Sequence, residues 1–268
     1  MAERIGIGEI ELAYEDSGGD GLAVVLIHGL GGSLYGWRAQ SLALAAAGYR
    51  AVAYDQRGAG LSAKPPGPYS VELWAEDLER LLEQLRIDRA ALVGHSMGCM
   101  VAVEAAGRLG ERCLAVALCG GRTSWPAPTV ETFEQRADLA RACRLDEVAE
   151  AVATNGLSER CRAERPELWG LMVASLSAND PEGYAESALG ARDGAMPYLG
   201  KLNCPVFAFA GTEDLPTPPA ESEAIVAIAQ RGETAVIEGA AHWCMLERPD
   251  EVSRLLVDFL VRAVPVSV

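Results

Sequence analysis

Residues 90–98 read Ala90-Ala91-Leu92-Val93-Gly94-His95-Ser96-Met97-Gly98. An uninterrupted apolar run enters a Gly-x-Ser-x-Gly turn, and the residues that follow, 97–109, have helical character. A strand, an abrupt turn and a helix form the context in which a serine hydroxyl is held clear of a sheet edge. So tight a turn leaves no room for a side chain two residues to either side of Ser96, which accounts for Gly94 and Gly98. The hydroxyl then sits at a helix N-terminus, where backbone N–H groups and the helix dipole favour developing negative charge. A five-residue pattern with two free positions is common, and its placement between strand and helix is what gives it weight.

Outward from this turn the same rhythm repeats. Apolar segments at 22–28, 49–55, 90–95 and 113–119 alternate with helical stretches at 34–47, 71–85 and 97–109, and the alternation resumes with strands at 205–210 and 234–238 and helices at 219–230 and 249–264. Strands apolar on both faces and separated by helices indicate a parallel sheet covered on both sides. The chain opens differently: Ile10, Leu12 and Tyr14 alternate with polar residues and run into a Gly- and Asp-rich turn at 16–21, which predicts antiparallel strands at one edge. The last helix presents Val252, Leu255, Leu256, Phe259 and Leu260 as one apolar stripe, with Asp250 and Glu251 in its first turn and Arg262 in its last.

Between about 122 and 202 no clean strand is found. The segment opens with Trp125-Pro126-Ala127-Pro128 and continues as charged helical pieces broken at Gly156, Pro166 and Pro181. Residues 1–121 and 203–268 are therefore expected to form one core, with 122–202 a helical insertion at the sheet edge. Internal repeats and low-complexity tracts are absent from the 268-residue sequence.

Composition narrows the function. Twenty-three Lys and Arg against 38 Asp and Glu give a net charge of -15, which repels nucleic acid and anionic membranes. The apolar run at 22–27 is far short of the roughly 20 residues of a membrane span. The first residues carry neither the basic start nor the apolar stretch of a secretion signal, so a cytoplasmic protein is expected. Seven cysteines, an odd number without a C-x-x-C, read as reduced and mostly buried side chains rather than a disulfide framework or a zinc site.

A serine at its ordinary acidity needs a neighbouring base, usually His, oriented by a carboxylate. The sequence holds three histidines. His95 adjoins Ser96 on the turn and is expected to point away from it, and His28 ends the first parallel strand. That leaves His242, in Gly239-Ala240-Ala241-His242-Trp243, between the last strand and the last helix. The acid is expected after the preceding strand, where Gly211-Thr212-Glu213-Asp214 offers Asp214, with Glu213 as the competitor. The other place for an acid, after 113–119, reads Gly120-Gly121-Arg122-Thr123-Ser124 and holds no carboxylate. The glycine loop His28-Gly29-Leu30-Gly31-Gly32-Ser33 lets backbone N–H groups face inward. With the amides of Leu30 and Met97 aimed at one point it would form an oxyanion hole. It lacks the lysine and the spacing of a phosphate-binding loop.

Taken together, residues 28–33, Asp55-Gln56-Arg57-Gly58-Ala59-Gly60-Leu61-Ser62, and the segments 94–98, 211–214 and 239–243 resemble the α/β-hydrolase superfamily over essentially the whole chain. The resemblance implies an eight-stranded, mostly parallel sheet, a helical cap over the site, and a triad in the chain order Ser96, Asp214, His242. It also implies a mainly structural role for the loop holding Asp55 and Arg57. A serine at 96 argues against the dehalogenases and epoxide hydrolases that carry Asp at this turn, which leaves ester, lactone or thioester cleavage. Within the superfamily, residues 180–185, 191–193 and 211–219 are similar to 3-oxoadipate enol-lactonases, although Cys99 stands where that group commonly has a second glycine.

The expected partner is accordingly a small ester or lactone, with no cofactor and no metal required. An acidic lactone would need a cation: Arg122, at the junction of sheet and insertion, is the candidate, with Arg136, Arg141 and Arg192 behind it. Trp125, Trp169 and Trp243 are candidates for an apolar pocket wall. Two alternatives share the triad: a cofactor-free perhydrolase or haloperoxidase-type activity, and a ligand receptor that retains the site.

Overall fold

The computed structural model describes residues 2–264. Eight strands form one sheet: β1 (Glu3–Gly6), β2 (Glu11–Asp16), β3 (Ala23–Ile27), β4 (Arg50–Tyr54), β5 (Ala90–His95), β6 (Cys113–Cys119), β7 (Val206–Gly211) and β8 (Gly232–Ile237), in spatial order β1-β2-β4-β3-β5-β6-β7-β8. β1 and β2 pair antiparallel at the edge, and from β4 to β8 every pairing is parallel. The sheet thus has the composition read from the sequence: an alternating, half-exposed edge and a centre buried on both faces.

Period-2 alternation sorts the central strands into two cores. Val25, Ile27, Leu92, Val116 and Leu118 point to the face covered by helices α2 (Val71–Gln84) and α3 (Met97–Leu109). Val24, Leu26, Val93, Ala117, Phe207 and Phe209 point to the other face, against α1 (Arg38–Ala46) and the C-terminal helix, Pro249–Ala263. In that last helix Val252, Leu256, Phe259 and Leu260 are buried, and Leu255 is half-buried at the margin of the stripe. Each such side chain contributes roughly 1.5–3 kcal/mol on burial, so the register of every central strand is fixed: a one-residue slip would exchange the two faces.

Between β6 and β7 come five helices: α4 (Ala127–Arg141), α5 (Leu145–Gly156), α6 (Glu159–Glu164), α7 (Pro166–Ser177) and α8 (Pro181–Arg192). Pro166 and Pro181 sit in the first turns of α7 and α8, where the missing N–H costs nothing, and Asp180 caps α8 through the Gly183 N–H. The segment's two ends are tied by an antiparallel bridge between Ser124 and Ala195. Helices α9 (Pro219–Ile228), α10 (Cys244–Glu247) and α11 (Pro249–Ala263) complete the chain. Some boundaries differ from the expected ones: the stretch 34–47 is split into a 3-10 turn, Leu34–Trp37, and α1, α9 ends at Ile228 rather than 230, and β8 begins at Gly232 rather than 234. Among the described residues no helix is long and apolar enough to cross a membrane.

Candidate active site

Ser96 occupies the turn between β5 and α3 with φ 52° and ψ -119°, a left-handed conformation that a side chain adopts only under strain. The surrounding packing enforces it. A Cβ on Gly94 would lie 2.3 Å from the carbonyl oxygen of Gly98, and one on Gly98 would lie 2.5 Å from that of Ile27. The Ser96 N–H donates to the Cys119 carbonyl at 2.9 Å, tying the turn to β6.

Asp214 is the third residue of the β7–α9 connection and is buried. Its carboxylate faces His242 Nδ1 at 2.9 and 3.1 Å, accepts from the Thr217 N–H at 2.8 Å, and accepts from the Thr217 hydroxyl at 2.9 Å. With a carboxylate opposite Nδ1, the neutral imidazole carries its proton there and leaves Nε2 as the acceptor. Glu213 is exposed, so of the two neighbouring carboxylates Asp214 is the one that meets the histidine. Gly120, at the end of β6, closes the other side: a Cβ there would be 3.2 Å from both Asp214 Oδ2 and His242 Nδ1. Thr217 was not singled out as a functional residue by sequence reasoning. The Asp-x-x-Thr spacing, which favours a side chain to backbone turn, was the available signal.

Ser96 and His242 line one cavity of about 340 Å³, together with Leu30, Met97, Trp125 and Trp243. No hydrogen bond joins the Ser96 hydroxyl to His242 in this structure; such contacts commonly tighten only when substrate is bound. The backbone N–H groups of Leu30 and Met97 donate to no acceptor among the described residues, and both residues face the cavity.

The other two histidines are structural. His28 donates from Nδ1 to the Gly29 carbonyl at 2.8 Å, and its Nε2 accepts from the Gln56 N–H at 3.0 Å. Burial pushes its pKa down. His95 is buried beneath Trp243, with ring centroids 4.7 Å apart, and donates from Nε2 to the carbonyl of His242 at 3.0 Å. Burial, then the neighbouring His242, hold it well below the usual histidine range. Asp55 accepts from the N–H groups of Leu34 and Leu61, both at 2.7 Å, and Arg57 pairs with the buried Asp77, so this loop braces the site rather than entering it. All seven cysteines are free thiols, five of them buried.

The expected substrate contacts divide. Trp125 and Trp243 line the cavity, Trp125 edge-on to Phe133 at 5.2 Å. Trp169 does not; its Nε1 donates to Thr154 at 3.1 Å. Arg122, expected as the substrate cation, is not itself among the residues that line the cavity: it pairs with Glu221 at 2.7 Å and donates at 3.1 Å to the carbonyl of Pro216, which does line it. In an acidic protein a carboxylate of its own chain reaches it first. Arg141 and Arg192 are likewise paired, with Glu182 and Glu186 and with Glu134 and Asp193.

Comparison with known proteins is consistent with this geometry. The model of the family described as alpha/beta hydrolase fold matches residues 23–155. The chain is similar to the 2-hydroxy-6-oxononadienedioate/2-hydroxy-6-oxononatrienedioate hydrolase of Paraburkholderia xenovorans, at 28% identity over 95% of this chain and 92% of that one. Its structure resembles that of the enol-lactonase from Burkholderia xenovorans LB400, with a TM-score of 0.91 and 29% identity over 96% and 99% of the two chains. A thermophilic esterase from Thermogutta terrifontis, solved with malate bound, also superposes with a TM-score of 0.91, at 30% identity over 98% and 99%.

Proposed function

The chain belongs to the α/β-hydrolase family, and from that premise we propose that it cleaves small carboxylic esters or lactones through an acyl-enzyme on Ser96. The observation that carries this reading is the buried Asp214 carboxylate 2.9 Å from His242 Nδ1, which leaves Nε2 free on the cavity that Ser96 also lines. His242 takes the Ser96 proton as the oxygen attacks the acyl carbon. The Leu30 and Met97 amides receive the oxyanion, an interaction worth roughly 2.7–4 kcal/mol per donor in serine hydrolases. His242 returns the proton to the departing alcohol, and water repeats the sequence in reverse to release the acid and restore Ser96.

Residues 122–202 act as the cap, with α4 and α5 supplying the cavity wall opposite the sheet through Phe133 and Val152. Small-molecule scale follows from the cavity volume, near the lower end of the usual 300–1,000 Å³ for ligand sites. Free thiols throughout the chain fit a reducing compartment, and the cytoplasm is the proposed one.

The test is direct. A fluorophosphonate should add its mass at Ser96, and Ser96→Ala should reduce p-nitrophenyl acetate hydrolysis to near background. Labelling at another residue, or wild-type rates in the variant, would remove Ser96 from the mechanism. Product analysis with peroxide and a count of turnovers per chain separate this activity from the perhydrolase and receptor alternatives.

A further inference from the structure

At the N-terminal edge of the parallel strands, opposite the edge that carries Ser96, two thiols line one cavity of about 410 Å³. Cys113 opens β6, and Cys204 stands two residues before β7. The register pairs Val116 with Val206, and the Val116 N–H donates to the Pro205 carbonyl at 3.0 Å, which carries Cys204 alongside the first residues of β6. There the two thiols meet and share a hydrogen bond. Cys113 is buried and Cys204 half-buried, so Cys204 is the member of the pair that solvent reaches. The same cavity concentrates positive charge. Arg89, Lys201 and Arg231 line it against one carboxylate, Glu111, and none of the three cations forms an ion pair among the described residues. In a chain of net charge -15 this is a local reversal of sign. The Cys113 hydrogen bond, aided by the Arg231 charge, lowers the Cys204 pKa, while the same bond together with burial holds Cys113 well above the ordinary thiol range. An accessible thiol of lowered pKa among cations is the kind that exchanges with disulfides.

We propose that Cys204 is a site of reversible modification by small acidic disulfides, with Cys113 as its resolving thiol and Arg89, Lys201 and Arg231 as the charges that select an anionic reagent. The Cys204 thiolate attacks one sulfur of the disulfide R–S–S–R. That S–S bond breaks, one RS⁻ leaves with its electron pair, and Cys204 is left as the mixed disulfide Cys204–S–S–R. The hydrogen bond that raised the Cys113 pKa is then gone, because no thiolate remains at 204. Cys113 loses its proton to solvent, attacks the Cys204 sulfur and expels the second RS⁻. Two protein thiols are oxidised to one Cys113–Cys204 disulfide, one R–S–S–R is reduced to two thiols, and the two protons released by the protein balance the two departing thiolates. The new bond closes the loop of chain that contains the whole insertion, 122–202, and a dithiol reductant reverses it. The site is separate from the triad, so it stands or falls independently of the serine-hydrolase reading.

The experiment uses the full chain carrying Cys143→Ser, which removes the one exposed thiol; the remaining four cysteines, Cys99, Cys119, Cys161 and Cys244, are buried. Glutathione disulfide, the acidic probe, is added to the reduced protein, and intact mass and peptide mapping follow the products with time. A glutathionyl adduct should appear first at Cys204 and then give way to a linked Cys113–Cys204 peptide. Cys113→Ser should stop at the adduct, and Cys204→Ser should abolish both products. Cystamine, a cationic disulfide, tests the role of charge: glutathione disulfide should react with Cys204 faster by about tenfold or more, and Arg89→Gln combined with Arg231→Gln should lower that ratio by about threefold or more, as loss of a local attractive field predicts. A first adduct at another cysteine, an adduct that never resolves to the linked peptide, or cystamine reacting as fast as glutathione disulfide would each overturn the proposal. The mapping on the Cys143→Ser protein needs no substitution at the site, so it decides the matter even if a cavity variant fails to fold.

Discussion

The carboxylate of Glu247 accepts a hydrogen bond from the backbone N–H of Ala241 at 2.9 Å, one residue before His242. The same buried side chain accepts from the hydroxyl and the N–H of Ser158, the residue that caps α6. Beside it the Trp243 N–H donates to the Gly156 carbonyl at 3.1 Å. His242 is thereby fixed from several directions: its ring by Asp214, its carbonyl by His95, and its flanking residues by the α5–α6 junction. The helices that wall the cavity and the loop that carries the imidazole are one mechanical unit.

Glu247→Gln should therefore disturb activity as well as stability. A glutamine keeps one acceptor oxygen but turns an NH2 group toward donors, leaving buried groups unpaired at a cost of about 1–3 kcal/mol. We expect a lower melting temperature and a fall in kcat of roughly tenfold with little change in KM, since imidazole placement matters most in the transition state. Thermal melts and steady-state kinetics on the same preparation separate the two effects. A destabilised variant with wild-type kcat would make Glu247 a purely structural residue.

The Asp214, Thr217 and His242 cluster gives a graded expectation. Asp214→Asn should lower kcat by about 10⁴-fold, because an amide can present an NH2 to Nδ1 and favour the wrong imidazole tautomer. Thr217→Val removes one donor to Asp214 while keeping the side-chain shape, and should cost far less, on the order of tenfold. Glu213→Gln, on an exposed side chain, should stay within a factor of two. A ranking with Glu213 above Asp214 would reassign the acid.

What the sequence discloses and what it hides follow from the range of the interactions involved. The strands and the turn at Ser96 are local: apolar runs, two glycines and a serine within five residues specify them, and the two antiparallel edge strands follow from alternation at Leu12 and Tyr14. His242 emerges by elimination because only three histidines exist. Asp214 and Glu213 are indistinguishable in sequence because one residue of separation in a turn decides which carboxylate points inward. That Arg122 is paired within the chain is not legible either, because its partner, Glu221, is 99 residues away. Ser158 and Glu247 are separated by 89 residues, and no local pattern announces their contact.

Stability should fall on mild acidification, and two buried histidines set the direction. His28 and His95 have pKa values below the ordinary 6.5, His95 well below. Under pH 6.5 the unfolded chain binds protons at both positions while the folded chain leaves them neutral, so the unfolded state gains protons and the free energy of unfolding decreases as pH falls. Above about pH 7 the contribution is fully present and constant. Below 6.5 each histidine adds a slope of up to about 1.4 kcal/mol per pH unit until its folded pKa is reached. Asp77 and Glu104, whose pKa values burial raises, act in the opposite sense at lower pH, so the informative comparison is between variants. His95→Gln keeps a donor for the His242 carbonyl but cannot titrate. Urea unfolding at pH 7.5, 6.0 and 5.0 should give a shallower loss of stability in His95→Gln than in wild type, whatever their difference at pH 7.5. Equal slopes would mean that His95 takes up its proton within the folded protein.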